Sequence, residues 1–208
     1  MTKLFKLSVF FSLAFTSLIN FLNAEPFEST YTPLPSQNIL IKNANIYDGE
    51  GNELLKTDLL IKDRKIAAIG NDLPITDDFE VIDASGKWVT PGIIDIHSHM
   101  GVYPAPGVRT SSDGNEATSP VTADVWAEHS IWVQDPQYTL ALSGGVTAFH
   151  ILPGSANLIG GRGVTVKNLQ RNTINSMKFP EAPHSLKMAC GENPKRIYGN
   201  RQQAPSRS

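Results

Sequence analysis

Asp95, His97 and His99 stand at alternate positions in Pro91-Gly-Ile-Ile-Asp-Ile-His-Ser-His99, and they carry the strongest chemical signal in the sequence. On a β-strand alternate side chains share a face, so these three point one way while Ile94, Ile96 and Ser98 point the other. Two imidazoles so spaced can both reach one divalent ion at the usual Zn–N distance of about 2.0–2.1 Å. Asp95 is better placed to orient a neighbouring group than to bind the ion, a support that metal-bound histidines commonly need. The alternative is a pair of histidines hydrogen-bonded on a surface strand. The Pro91-Gly92 start and the isoleucines read instead as a buried strand, where polar groups need partners, and that favours the metal.

The elements that must position these residues follow from the flanking text. Gly92–His99 reads as a buried strand, with a Gly/Pro-rich loop after it from Gly101 to Pro120. Thr122 to Ser143 has helical character interrupted near Pro136, and Gly144–Ile151 reads as a second buried strand entered from a helix C-cap glycine. Strand, long excursion, strand is the pattern of a parallel βα unit. Upstream, residues 38–90 read as a small, largely antiparallel β unit. Ile39–Ile41 and Ala44–Tyr47 precede a turn at Asp48–Asn52, and Asp58–Ile61 and Ile66–Ile69 form a hairpin with no glycine at its tip. Val81-Ile82 and Lys87–Val89 complete the unit. Residues 25–37, with three prolines and no periodicity, read as a linker.

Lys3 and Lys6 precede an uncharged run, Leu7–Ala24, with a small residue before Glu25. This is the layout of a secretory signal peptide over residues 1–24, and an exported, periplasmic or secreted protein is expected. The alternative is an uncleaved membrane anchor. Beyond that segment no membrane contact is expected. Net charge −2 over 208 residues removes the electrostatic reason to expect nucleic acid as a partner. The single cysteine, Cys190, excludes an internal disulfide framework and any cysteine-based zinc finger.

Thr90–His99 resembles the first barrel strand of the amidohydrolase superfamily, whose signature is P-G-x-x-D-x-H-x-H. Ile41–Gly49 and Ile66–Gly70 resemble the small β-sandwich that precedes that strand in the branch related to imidazolonepropionase and metal-dependent dipeptidases. Ser143–Thr147, Leu152–Gly163 and Leu186–Lys195 also resemble that branch. The resemblance implies an α/β fold. A small β-sandwich subdomain would precede a partial TIM (β/α) barrel over residues 91–208, with one or two divalent ions, zinc expected, at the strand ends. It implies a hydrolase for C–N bonds of a small cyclic amide or dipeptide-like substrate. His97 and His99 would hold the more buried ion, and Lys187 is the candidate for a carboxylated bridging lysine, with Lys167 its competitor. Asp95 would stand in support, and His150 is a candidate for lining the site. Ordinary solvated roles are the alternative for both lysines.

Other residues carry less. His129 reads as structural, and Cys190 as a buried inert thiol. Gly154–Gly163 lacks the lysine of a phosphate loop and reads as a tight strand-to-helix excursion near the site mouth. Pro194 is expected to open a short helix, capped by Asn193 or Glu192. A full barrel takes roughly 250 residues, so the later histidines and the catalytic aspartate of the family have no counterpart up to Ser208. The chain is therefore expected to be the front part of such an enzyme, inactive by itself. The alternative is a non-catalytic metal-binding remnant. Substrate, metal count and oligomeric state are not legible.

Overall fold

The computed structural model describes residues 26–76 and 78–201. The signal-peptide reading falls outside them. The chain forms two compact units, one of Thr32–Ile94 with Ala141–Ala148 and one of residues up to Tyr31, Asp95–Leu140 and residues from Phe149 on. Among the described residues no helix is long and apolar enough to cross a membrane.

The first of these units is built on one five-stranded sheet. Strand β1 (Asn38–Tyr47) is flanked by β2 (Glu53–Lys62), which pairs with β3 (Lys65–Gly70). Both of those pairings are antiparallel. On its other side β1 pairs in parallel with β4 (Phe79–Asp83) through Asn38–Lys42 and with β5 (Trp88–Val89) through Asn45 and Ile46. The expected sandwich and the largely antiparallel pattern therefore give way to a single mixed sheet. The physical reason lies at Asn43, whose φ of 57° bends β1. Its two halves can then take separate parallel partners. The buried carboxylate of Asp58 holds that bend by accepting the Asn43 N–H at 3.0 Å. Ala44, Ile46, Leu59 and Ala84 form the core. The glycine-free hairpin is present: Asp63 and Arg64 both take positive φ, 51° and 64°. Those values suit a tight two-residue turn that follows the strand twist.

The second unit carries the candidate chemistry. A four-stranded sheet has the order β6 (Ile93–Ser98), β7 (Val146–Ile151), β8 (Ile159–Lys167), β9 (Ser185–Met188), and this unit holds β6 from Asp95, β7 from Phe149 and all of β8 and β9. Ile93 N–H donates to Gly145 O and Leu152 N–H to Ser98 O, both at 2.9 Å, so β6 and β7 advance in the same direction. The β8–β9 pairing is antiparallel, which departs from an all-parallel barrel. The helices are short: α1 (Gln137–Ser143) and α2 (Glu192–Tyr198). Tyr138, Phe149, Ile151, Val166 and Met177 are buried at its centre, with the Tyr138 and Phe149 rings edge to face at 5.7 Å.

Four expectations are corrected here. Residues 122–136 are mostly non-helical, with one 3₁₀ turn at Ala127–His129. Their backbone groups are engaged by β8 instead: Thr122 N–H donates to Ile159 O at 2.9 Å and Arg162 N–H to Val125 O at 2.7 Å. The glycine run 154–163 leads into strand β8 and not into a helix. β6 is a strand, but its isoleucines are not buried, and Ile96 is 76% exposed. Helix α2 begins at Glu192 after Gly191, with no side-chain cap. Residues 26–31 also do more than link: Thr30 N–H donates to Asn175 O and Ser29 Oγ to Lys178 O, at 3.0 and 2.8 Å.

Gly161 explains one glycine of the run. It sits at the irregularity in the β8–β9 ladder with φ 114°, and a Cβ there would lie 2.5 Å from Val125 O. That conformation is nearly reserved for glycine, and the obstacle is backbone, which cannot rotate away. Gly161→Ala is expected to lower stability by about 2–4 kcal/mol, read as a shifted denaturation midpoint. A midpoint within error of the parent would refute this.

Candidate metal centre

The period of two in β6 sets His97 and His99 on one face, their ring centroids 5.5 Å apart and nearly perpendicular. His99 Nδ1 lies 2.9 Å from Leu152 O. A carbonyl oxygen only accepts, so Nδ1 carries the proton and donates. Nε2 of His99 is thereby left with its lone pair available for a cation. Burial lowers the His99 pKa, partly offset by that hydrogen bond, and so favours the neutral ring that a metal requires. The His99 ring is edge-on to Tyr103, with centroids 5.5 Å apart.

Lys187, on β9, reaches the same place. Its Nζ lies 3.2 Å from His97 Nε2, and the residue is 7% exposed. β6 and β9 are the outer strands of the sheet, three spacings or about 14 Å apart if it were flat. The long Lys187 side chain and the His97 ring nonetheless meet across that span. No carboxylate among the described residues forms an ion pair with Lys187. Burial pushes its amine pKa down, which raises the share of neutral amine.

The remaining candidates separate. Asp95 Oδ1 accepts the backbone N–H of His97 at 3.1 Å, so it braces the strand and not an imidazole ring. His150 has hydroxyls at both ring nitrogens: Thr165 Oγ1 at 3.0 Å from Nδ1 and Ser185 Oγ at 2.7 Å from Nε2. Lys167 is elsewhere, its Nζ 4.0 Å from the Phe179 ring centroid and 4.8 Å from that of Tyr31. The exposed His129 packs edge-on to Phe27. Cys190 is exposed, contrary to the buried thiol expected, because it lies just past the end of β9 where the ladder stops. Among the described residues no three His, Cys, Asp or Glu side chains gather for a metal. The donor set is instead two imidazoles and a lysine. It fits a divalent ion when Lys187 is uncharged or carboxylated, since an ammonium beside His97 would repel the cation.

Comparison with known proteins gives the family. The amidohydrolase tasK of Hapsidospora irregularis is 34% identical over 192 residues, 80% of this chain and 20% of the relative. The crystal structure of an amidohydrolase from Thermotoga maritima MSB8 superposes with a TM-score of 0.71 at 42% identity, covering 80% of this chain and 43% of that one. This chain belongs to the amidohydrolase superfamily. A dihydroorotase of Lactobacillus helveticus is 46% identical over 74 residues, 36% of this chain and 16% of the relative. The chain thus spans a fifth or less of these two curated relatives. No family model matches.

Three residues around the candidate centre escaped sequence reasoning. Ser185 lies two positions before Lys187 and so shares its face of β9, a signal that was available. Thr165 lies on the neighbouring strand and gave no local cue. Asp135 is fully buried and accepts the N–H groups of Gly101, Ala105 and Gln137 at 3.2, 3.3 and 3.0 Å. It thereby holds the loop that carries Tyr103 away from β6. Its position ahead of Pro136 at a helix start is a recognisable signal.

Proposed function

We propose that this chain supplies the divalent-metal centre of an exported hydrolase that cleaves a C–N bond in a small cyclic amide or dipeptide-like substrate. The observation that carries the reading is the meeting of Lys187 with His97, beside a His99 whose Nε2 is left free. Membership of the superfamily, the hydrolases among its relatives and the dihydroorotase likeness support the reaction class. Zinc suits two imidazoles, and one or two ions would be held by His97, His99 and Lys187.

When bound, such an ion brings the pKa of its water towards neutrality and polarises the scissile carbonyl. The chain's own part is arrangement. Leu152 O fixes the His99 tautomer, and Asp95 holds the His97 backbone. The Lys187 amine, whose pKa burial lowers, can in its neutral form add to carbon dioxide, forming an N–C bond and releasing a proton. The carbamate so formed would exchange a repulsive cation for an anion able to help hold a divalent ion.

Carbon-13 bicarbonate with zinc tests the lysine. A carbamate signal is expected from the parent and none from Lys187→Met, with zinc affinity reduced at least about tenfold in the variant. Equal zinc affinity in both would overturn the assignment. Because this chain is expected to be inactive by itself, hydrolysis is tested in an enzyme whose further strands complete the centre, by following ring opening of cyclic amides and amino-acid release from dipeptides. Turnover that persists unchanged in His97→Ala would overturn the metal mechanism, and product from neither class would overturn the substrate assignment.

A further inference from the structure

The metal reading leaves one polar cluster unused. His150 on β7 is held between Thr165 on β8 and Ser185 on β9, so three strands converge on one imidazole. Its Nε2 to Ser185 Oγ distance of 2.7 Å is that of a strong hydrogen bond. In a neutral ring one nitrogen donates and the other accepts. With Nδ1–H donating to Thr165 Oγ1, Nε2 accepts from the Ser185 hydroxyl. A hydroxyl, a base in contact with it and a third group orienting the base make the arrangement that activates a nucleophile. Room for it depends on Gly163, where a Cβ would lie 2.7 Å from Ser185 Oγ. Burial lowers the His150 pKa and keeps the ring neutral, as a base must be. His150 and Ser185 are both half-buried.

We propose that Ser185, with His150 as its base and Thr165 as the positioning residue, is a nucleophile that accepts acyl groups from carboxylic esters without any metal. Ser185 Oγ attacks the ester carbonyl and forms a C–O bond while its proton passes to His150 Nε2. The tetrahedral adduct collapses, the ester C–O bond breaks, and the leaving alkoxide takes that proton. Water then attacks the acyl-serine, giving its proton to Nε2. Collapse of that adduct releases the carboxylic acid, and Ser185 Oγ takes the proton back.

The test uses the full 208-residue chain in excess chelator, so that it stands apart from the metal centre. The probe is an alkyl fluorophosphonate, whose P–F bond breaks as the P–Oγ bond forms and fluoride leaves. Peptide mass mapping is expected to find one adduct, on Ser185. His150→Gln should slow labelling by about 10²–10⁴-fold, the usual contribution of a general base. Thr165→Val should slow it less, with no change in the melting curve. Ser185→Ala should abolish both labelling and the hydrolysis of p-nitrophenyl acetate. Absence of a Ser185 adduct in the parent chain overturns the proposal without reference to any variant. Labelling at an unchanged rate in a folded His150→Gln protein overturns it equally.

Discussion

Lys178→Met is expected to destabilise the protein by about 3–5 kcal/mol, the cost of leaving a buried charge without its partner. Lys178 Nζ lies 2.6 Å from Glu128 Oε2, and the side chains are 6% and 0% exposed. The pair also grips the main chain of Phe27. Lys178 Nζ donates to Phe27 O, and Phe27 N–H donates to Glu128 Oε1 at 3.3 Å. Removing the ammonium therefore strands the carboxylate and removes one of the bonds that hold the Phe27 main chain. For a chain of this size the loss corresponds to a melting temperature lower by roughly 6–20 °C. Exchanging both partners, Glu128→Gln with Lys178→Met, should recover most of the loss, because no charge is then buried. Arg196 and Glu192 supply the control: they pair at 3.0 Å but are 64% and 73% exposed, so Arg196→Ala should cost no more than about 0.5 kcal/mol. Thermal melts of the four proteins decide the matter, and Lys178→Met within 1 kcal/mol of the parent would sink it.

What could be read from the sequence was what is local. The turn at Asp63-Arg64 depends on two residues and their flanking strands, and it was legible. The common face of His97 and His99 needs only a period of two. Lys187 was reachable through the β-like run Leu186–Ala189 and the family likeness. Its approach to His97 depends on the ladder that pairs Lys187 with Gly161 and on the strand order that sets β6 and β9 in one sheet. The contact of His150 with Ser185 is of the same kind, being set by three strands at once. Residues 122–136 were misread for a related reason: the propensities are local, but the backbone bonds go to β8. The exposure of Ile93, Ile94 and Ile96 shows that an apolar strand signals preference for an interior and does not specify what fills it.

Exchanging His97 and His99 together for alanine should lower zinc affinity by more than about 10²-fold, beyond what loss of a mere supporting group costs. Both imidazoles offer nitrogen lone pairs on one face, and what remains is the Lys187 amine on β9 and the Asp95 carboxylate on β6. Single variants are expected to differ in kind. His99→Ala removes the ring whose tautomer Leu152 fixes, whereas His97→Ala also removes the ring nitrogen that lies 3.2 Å from Lys187 Nζ. Protons compete for the same lone pairs, so affinity should fall as pH drops below the ordinary histidine range near 6.5. The lowered pKa of His99 carries that loss to a lower pH than an unperturbed imidazole would show. The sign for folding is the same. The unfolded chain binds the proton more readily, so the contribution of neutral His99 to stability is complete above the unfolded pKa and diminishes as pH falls towards the folded one. Titration calorimetry with zinc at several pH values, run beside melts with and without chelator, reads both effects. Zinc should raise the melting temperature of the parent and leave that of the double variant where it was. Equal stabilisation of the two proteins would place the bound ion away from β6 and remove the metal centre from this face of the sheet.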